Sequence, residues 1–237
     1  MNIFSTYIII CPHCDAVKRV ASSKIPWNEV NFIRWSDGRI ESTEWCEPAW
    51  TQQCPSCKHF FTLPPKQSLI VEDVPCEDTG SLPYQTLKQA IIELSGDEIA
   101  ESNARLEAWW SYNELYQNVV DDDIPIEEKD FNRSNMQWLL CYYSNKTLSP
   151  YSLVFELHRL LGNIEEYKRL LGEMAYERFV EWRMKRNIER GIESSLDEQQ
   201  LIRMYSRFVE DKNNALDKPL KPYIIKSTRN IHLYERT

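Results

Sequence analysis

An α+β fold is predicted from three observations. Two cysteine pairs stand at knuckle spacing, Cys11-Pro12-His13-Cys14 and Cys54-Pro55-Ser56-Cys57; residues up to about 80 are β-branched, aromatic and proline-punctuated; and helical periodicity takes over beyond. The expected order is a small N-terminal β domain over residues 1–65 with an inserted β-hairpin and a linker over 66–83. An all-α helical-hairpin domain over 84–215 and an extended C-terminal tail over 216–237 complete it.

The cysteines set the first domain. A C-x-x-C turn lets two sulfurs of one loop reach one ion at about 2.3 Å, so four thiols paired in this way make a tetrahedral zinc site. The domain therefore reads as a zinc ribbon, with Cys11, Cys14, Cys54 and Cys57 as ligands of one structural Zn2+. Four thiolates complete the tetrahedron and leave no open position for the activated water that catalytic zinc requires. His13, His59 and Cys46 lie close enough in sequence to be substitute ligands, whereas Cys76 and Cys141 have no partner at ligand spacing and read as small apolar side chains, Cys141 in a helix core.

A redox reading stands beside this one. Cys-Pro-His-Cys is also the active-site tetrapeptide of strongly oxidising oxidoreductases of thioredoxin type. That fold places the motif at the start of a helix, whereas Val17–Val20 reads as a strand and the second pair has no place in it. Zinc is preferred, with iron the other metal the set would take.

Between Cys14 and Cys54 lie 39 residues, more than a knuckle pair needs, and Ser36-Asp37-Gly38-Arg39 indicates a hairpin within them. A two-residue Asp-Gly turn would set Trp35 against Ile40, Arg34 against Glu41 and Val30 against Trp45. Trp27, Trp35, Trp45 and Trp50 all fall in or beside this insert; they read mainly as core, with Trp35 also a candidate binding residue.

Capping and proline signals predict helices near 84–94, 97–119, 126–143, 150–161, 164–190 and 196–211. Arg105, Trp109 and Asn113 share one face of the second, with Trp110 beside them; either one tryptophan packs in the core and the other closes a groove, or Trp109, Trp110 and Asn113 form a ligand or partner site. Asp121-Asp122-Asp123 lacks the glycine and spaced acids of a calcium loop and reads as a solvated connection. Arg183, Lys185, Arg186 and Arg190 form a basic cluster late in the long helix, suited to its C-terminal dipole or to an acidic or nucleic-acid contact. The run Leu157–Leu171 looks like the turn between the paired helices of a tetratricopeptide repeat, although Tyr167 stands where a small residue is usual and no further copies follow.

Taken together, Cys11-Pro12-x-Cys14, Trp35-Ser36-Asp37-Gly38, Cys54-Pro55-x-Cys57 with Phe60-Phe61, Arg105-x-x-x-Trp109-Trp110-x-x-Asn113 and Glu156–Gly162 resemble a group of uncharacterised bacterial zinc-ribbon proteins with a tetratricopeptide-like helical half. The resemblance supports the architecture and implies no activity. Its glycine after each second cysteine is replaced here by Asp15 and Lys58, at about 1 kcal/mol each. The acid it favours after the asparagine is Asp, where this chain has Glu114.

The net charge of −8 disfavours nucleic acid as a partner, and residues 1–65 carry six basic against six acidic residues. No phosphate-cradling glycine loop, G-x-S-x-G elbow or H-E-x-x-H helix occurs, so an enzyme is the least favoured class. The N-terminal apolar run is short and lacks a basic flank, and no stretch approaches membrane length, so a cytoplasmic chain without membrane contact is expected. The leading expectation is a non-enzymatic module with a protein partner, ahead of a nucleic-acid-associated factor.

Overall fold

Residues rich in β-branched and aromatic side chains form β1 (Phe4–Ile10), which pairs antiparallel on one side with β2 (Val17–Ser23), Ile10 facing Val17, and on the other with a later strand, Ile70–Glu72. These coordinates are a computed structural model that describes residues 4–23, 33–41, 48–63, 70–72, 80–145, 151–174, 179–181, 198–218 and 224–225. The chain is mixed α+β and divides into two units, Met1–Ile33 with Ile40–Asn135, and Arg34–Arg39 with Met136–Thr237. In order, the remaining strands are β3 (Ile33–Trp35), β4 (Ile40–Glu41), β5 (Thr51–Gln53), β6 (Phe60–Thr62), β7 (Ile70–Glu72) and β8 (Ile224–Ile225).

In the first unit β5 and β6 form a short antiparallel pair with Gln53 opposite Phe60. Successive strand residues point to opposite faces. Phe61 accordingly joins Ile9, Val20, Cys11 and Cys54 in a small core, while Phe60 joins Tyr84, Leu87, Ala90, Ile91, Ala104, Ala108, Tyr112 and Ile124 in a larger one. The larger core is built by α1 (Tyr84–Glu93) and α2 (Glu98–Tyr116). Ala100, Ala104 and Ala108 repeat at the four-residue spacing of one helix face and are all buried, which lets the two helices approach closely. Asp97 caps α2 by accepting the N–H groups of Ile99 and Ala100. A 3-10 turn at Asp121–Asp123 leads into α3 (Ile126–Ser144), where Glu128 accepts from Lys88 and Gln85, and Asn135 exchanges hydrogen bonds with Arg105.

The second unit contains α4 (Tyr151–Leu160), α5 (Ile164–Glu173) and α6 (Glu198–Ala215). The corner between α4 and α5 is a Schellman turn: Asn163 N–H donates to His158 O, Gly162 N–H to Arg159 O, and Gly162 has φ +75°. Tyr167 is buried, packs edge-on against Phe155 at 5.1 Å and donates its hydroxyl to Lys212 O, so α6 takes up the space that a smaller residue would leave. Phe155, Tyr167, Met174 and Phe179 form the apolar core. Beside it lies a buried polar group, in which Glu156 accepts from Arg159 at 2.7 and 2.9 Å and from the Ser36 hydroxyl. Strand β3 pairs antiparallel with β8, Trp35 opposite Ile224.

Three expectations are corrected. The hairpin turn is one residue longer than predicted: Trp35 pairs with Arg39 rather than with Ile40, because Gly38 alone takes positive φ (+88°) and Gly38 N–H closes onto Trp35 O. A type I turn followed by a left-handed glycine needs only that one residue, and the Asp37 carboxylate secures it by accepting the Arg39 N–H. The long helix over 164–190 ends at Glu173, since the buried Met174 leaves the helical conformation and its carbonyl accepts the Tyr205 hydroxyl. Cys141 is exposed on α3, not in a helix core. The facing of Val30 and Trp45, Trp27, Cys46, Cys76 and the basic cluster Arg183, Lys185, Arg186 and Arg190 lie outside the described residues.

Among the described residues other than its chain neighbours, no heavy atom lies within 4 Å of where a Cβ on Gly162 would stand, so Gly162→Ala tests the left-handed backbone. Its expected effect is a loss of about 1 kcal/mol in equilibrium urea unfolding, with no change in the slope of the transition.

Candidate metal centre

Each cysteine pair forms the tip of a hairpin. Cys11–Ala16 joins β1 to β2, and Cys54–His59 joins β5 to β6. The two tips repeat one hydrogen-bond pattern: Cys11 N–H to Ala16 O and Asp15 N–H to Cys11 O in the first, Cys54 N–H to His59 O and Lys58 N–H to Cys54 O in the second. Backbone N–H groups also point at sulfur, His13 to Cys11 and Cys57 to Cys54, each at 3.4 Å. The turn closes through left-handed space, and Asp15 (φ 58°) and Lys58 (φ 67°) are the non-glycine residues with positive φ among the described residues.

The tips meet sulfur to sulfur. All four ligand atoms lie within 4.8 Å of one another, Cys11 and Cys57 at 3.7 Å and Cys14 and Cys54 at 3.6 Å. A tetrahedron with arms of about 2.3 Å has edges of about 3.8 Å, whereas a disulfide is about 2.05 Å long. The spacing thus fits a tetrathiolate and not a bonded pair, and all four cysteines are free. Among the described residues this is the group that could hold a metal ion. Cys11 and Cys54 are buried, Cys57 is partly so and Cys14 is exposed, so the site is reached from one side.

Four thiols this close cannot ionise independently. Burial raises the Cys54 thiol, but the N–H groups of Cys57 and Ser56 and the Cys14 thiol outweigh it and bring it down to about 6. At Cys57 the His59 N–H pulls down, yet burial and the three neighbouring thiols push it up to about 12. A cation at the centre removes that opposition by offering every sulfur a positive partner.

Two carboxylates on the helices hold the second tip. Glu93, at the end of α1, accepts from His59 Nδ1 at 2.7 Å and from the Phe60 N–H at 3.0 Å. Burial works against its ionisation, but these donors keep it below its ordinary value. Glu107, on α2, accepts the N–H of Trp50 at 2.5 Å and of Thr51 at 3.2 Å, at the start of β5. Here burial wins and pushes the carboxyl up to about 7. The His13 ring lies tilted against that of His59, with centroids 4.9 Å apart.

The remaining site candidates fall elsewhere. Trp109 is fully buried on α2 and its indole N–H has no hydrogen-bond partner among the described residues; Asn113 is buried on the same helix; Trp110 is half-buried with its ring 5.5 Å from that of Trp50. Trp35 belongs to the second unit, half-buried under the Arg39 guanidinium at 4.6 Å. Sequence reasoning missed Glu93 and Glu107, since a glutamate late in a helix carries no signal of what it will reach. Glu156 and Arg159 did carry one: a charged pair three residues apart on an otherwise apolar helix face.

No helix among the described residues is long and apolar enough to cross a membrane. In comparison with known proteins, the chain matches no family model, no curated protein and no solved structure.

Because positive φ disfavours any side chain, Asp15→Gly should stabilise the metal-bound protein by about 1 kcal/mol in thermal or urea unfolding. Lys58→Gly should gain less, because the Lys58 ammonium donates to Pro55 O at 2.8 Å. Glu107 adds a pH dependence of definite sign. Its folded value of about 7 exceeds the ordinary 4.5, so the folded state holds the proton longer and stability falls as pH rises from about 4.5 through 7. The drop should be on the order of 2–3 kcal/mol in wild type and absent in Glu107→Gln, read as unfolding midpoints at pH 5 and pH 8.

Proposed function

We propose that Cys11, Cys14, Cys54 and Cys57 bind one structural zinc ion, that the N-terminal region is a zinc ribbon, and that the chain is a non-enzymatic module which docks a protein partner. The four-sulfur cluster carries this reading. Its spacing suits a tetrahedral thiolate set, and a tetrahedron filled by four protein ligands has no position left for substrate or water. The role of zinc is then cross-linking: it joins two hairpin tips and stabilises the folded ribbon by roughly 10–16 kcal/mol in apparent terms. The resemblance to the bacterial zinc-ribbon group and the tight α4–α5 corner agree with this reading.

A protein partner is favoured by what surrounds the tips. Ile10 and Val17 face each other across the first hairpin and are 57% and 51% exposed, and Trp50 is exposed beside Trp110. Exposed aliphatic and aromatic groups around a rigid, metal-clamped turn are the composition of a protein interface rather than of a phosphate-binding one.

Elemental analysis of purified protein should return one zinc per chain, and cobalt substitution should give the absorption of a tetrahedral tetrathiolate. Ile10→Asp with Val17→Asp should keep the metal and lose whatever protein co-purifies specifically with wild type from the native host. Absence of any bound metal would overturn the site; retention of the same partner by the double variant would overturn the surface.

A further inference from the structure

We infer that the metal centre stabilises the second unit as well as the first, through the loop that it closes. This rests on the reading of the cysteines as a zinc site and adds a coupling to it. Residues Arg34–Arg39 lie in sequence between the two cysteine pairs, yet they belong to the second unit. Their environment there is that of a core element. Ser36, Asp37 and Arg39 are all buried, Ser36 donates to Glu156, and Arg34 and Trp35 pair with Ile225 and Ile224 of β8.

The second unit cannot complete this arrangement from residues 136–237 alone. Glu156 and Arg159 are 2% and 0% exposed and form a charged pair in the interior. Such a pair needs its remaining hydrogen-bonding capacity filled, and the Ser36 hydroxyl fills part of it. Removing the hairpin would leave Glu156 buried with fewer donors and β8 without the strand it pairs with.

The hairpin is presented by a loop whose ends are the two cysteine tips. The Cys14 and Cys54 sulfurs lie 3.6 Å apart, and a metal bound between them would close the 39 intervening residues into a loop. Without the metal that loop is joined to the chain with many more conformations available, and placing its middle on α4 requires giving them up. Zinc therefore raises the population of the completed second unit. Thermodynamic linkage makes the effect reciprocal: zinc favours docking of the hairpin on α4 by the same factor by which docking favours zinc, so a chain whose hairpin is released from α4 must bind zinc more weakly.

The test uses the full chain loaded with zinc. Amide hydrogen exchange of peptides spanning α4 is followed before and after metal is removed with a strong chelator, with loss of zinc confirmed by elemental analysis. At least tenfold faster exchange in α4 is expected. The reciprocal arm measures zinc affinity of Ser36→Ala by chelator competition, a variant that takes the Ser36 hydroxyl away from Glu156. A fivefold or greater weakening is expected. Zinc that leaves with no change in α4 protection, or a Ser36→Ala chain that loosens α4 while binding zinc as tightly as wild type, overturns the coupling and leaves the metal site standing. A chain that binds no zinc overturns both.

Discussion

Four sulfur atoms within 4.8 Å of one another are the constraint on which the N-terminal half is organised. They come from hairpin tips far apart in sequence, and both tips use the same backbone bonds to aim two thiols at one point. As thiols they oppose one another, one driven toward ionisation and its neighbour away from it. Such a cluster is unfavourable unless a cation supplies the missing charge. Among the described residues the apolar set around the sulfurs is small: Ile9, Val20 and Phe61, with Tyr7, Ala16 and Leu63 packed against them.

The second tip is also bound to helices. Glu93 reaches it from α1 and Glu107 reaches the strand before it from α2, while Phe60 is part of the helical core. The second cysteine hairpin and the first two helices thus share the larger core through Phe60, and the cysteine geometry inherits the rigidity of α1 and α2. Glu107 does this with a carboxyl whose burial opposes ionisation: its hydrogen bonds to the strand favour the carboxylate, but the desolvation cost outweighs them.

How much of this could be seen in the residues alone depends on the range of the interaction involved. The grouping of the cysteines was legible, because ligand spacing within a loop is a local property and four thiols have one economical arrangement. Helix starts were legible for the same reason, at Pro83, Asp97 and Pro125. The hairpin register was missed by one residue, since Asp-Gly is compatible with both a two-residue turn and a three-residue turn ending in glycine, and the choice was made by an Asp37 bond to the backbone. The end of α5 was hidden because it is set by a hydroxyl from Tyr205, far along the chain. Likewise, nothing near Ser36 announces Glu156 as its acceptor.

The adjacent phenylalanines of β6 have a consequence for sequence change. Phe60 faces the helices and Phe61 faces the sulfurs, and the strand that carries them is three residues long. Adding or deleting a single residue between Lys58 and Phe60 would turn each ring to the opposite face and take it out of the core that it fills. Length variation in descendants of this chain should therefore be purged from the few positions after Cys57.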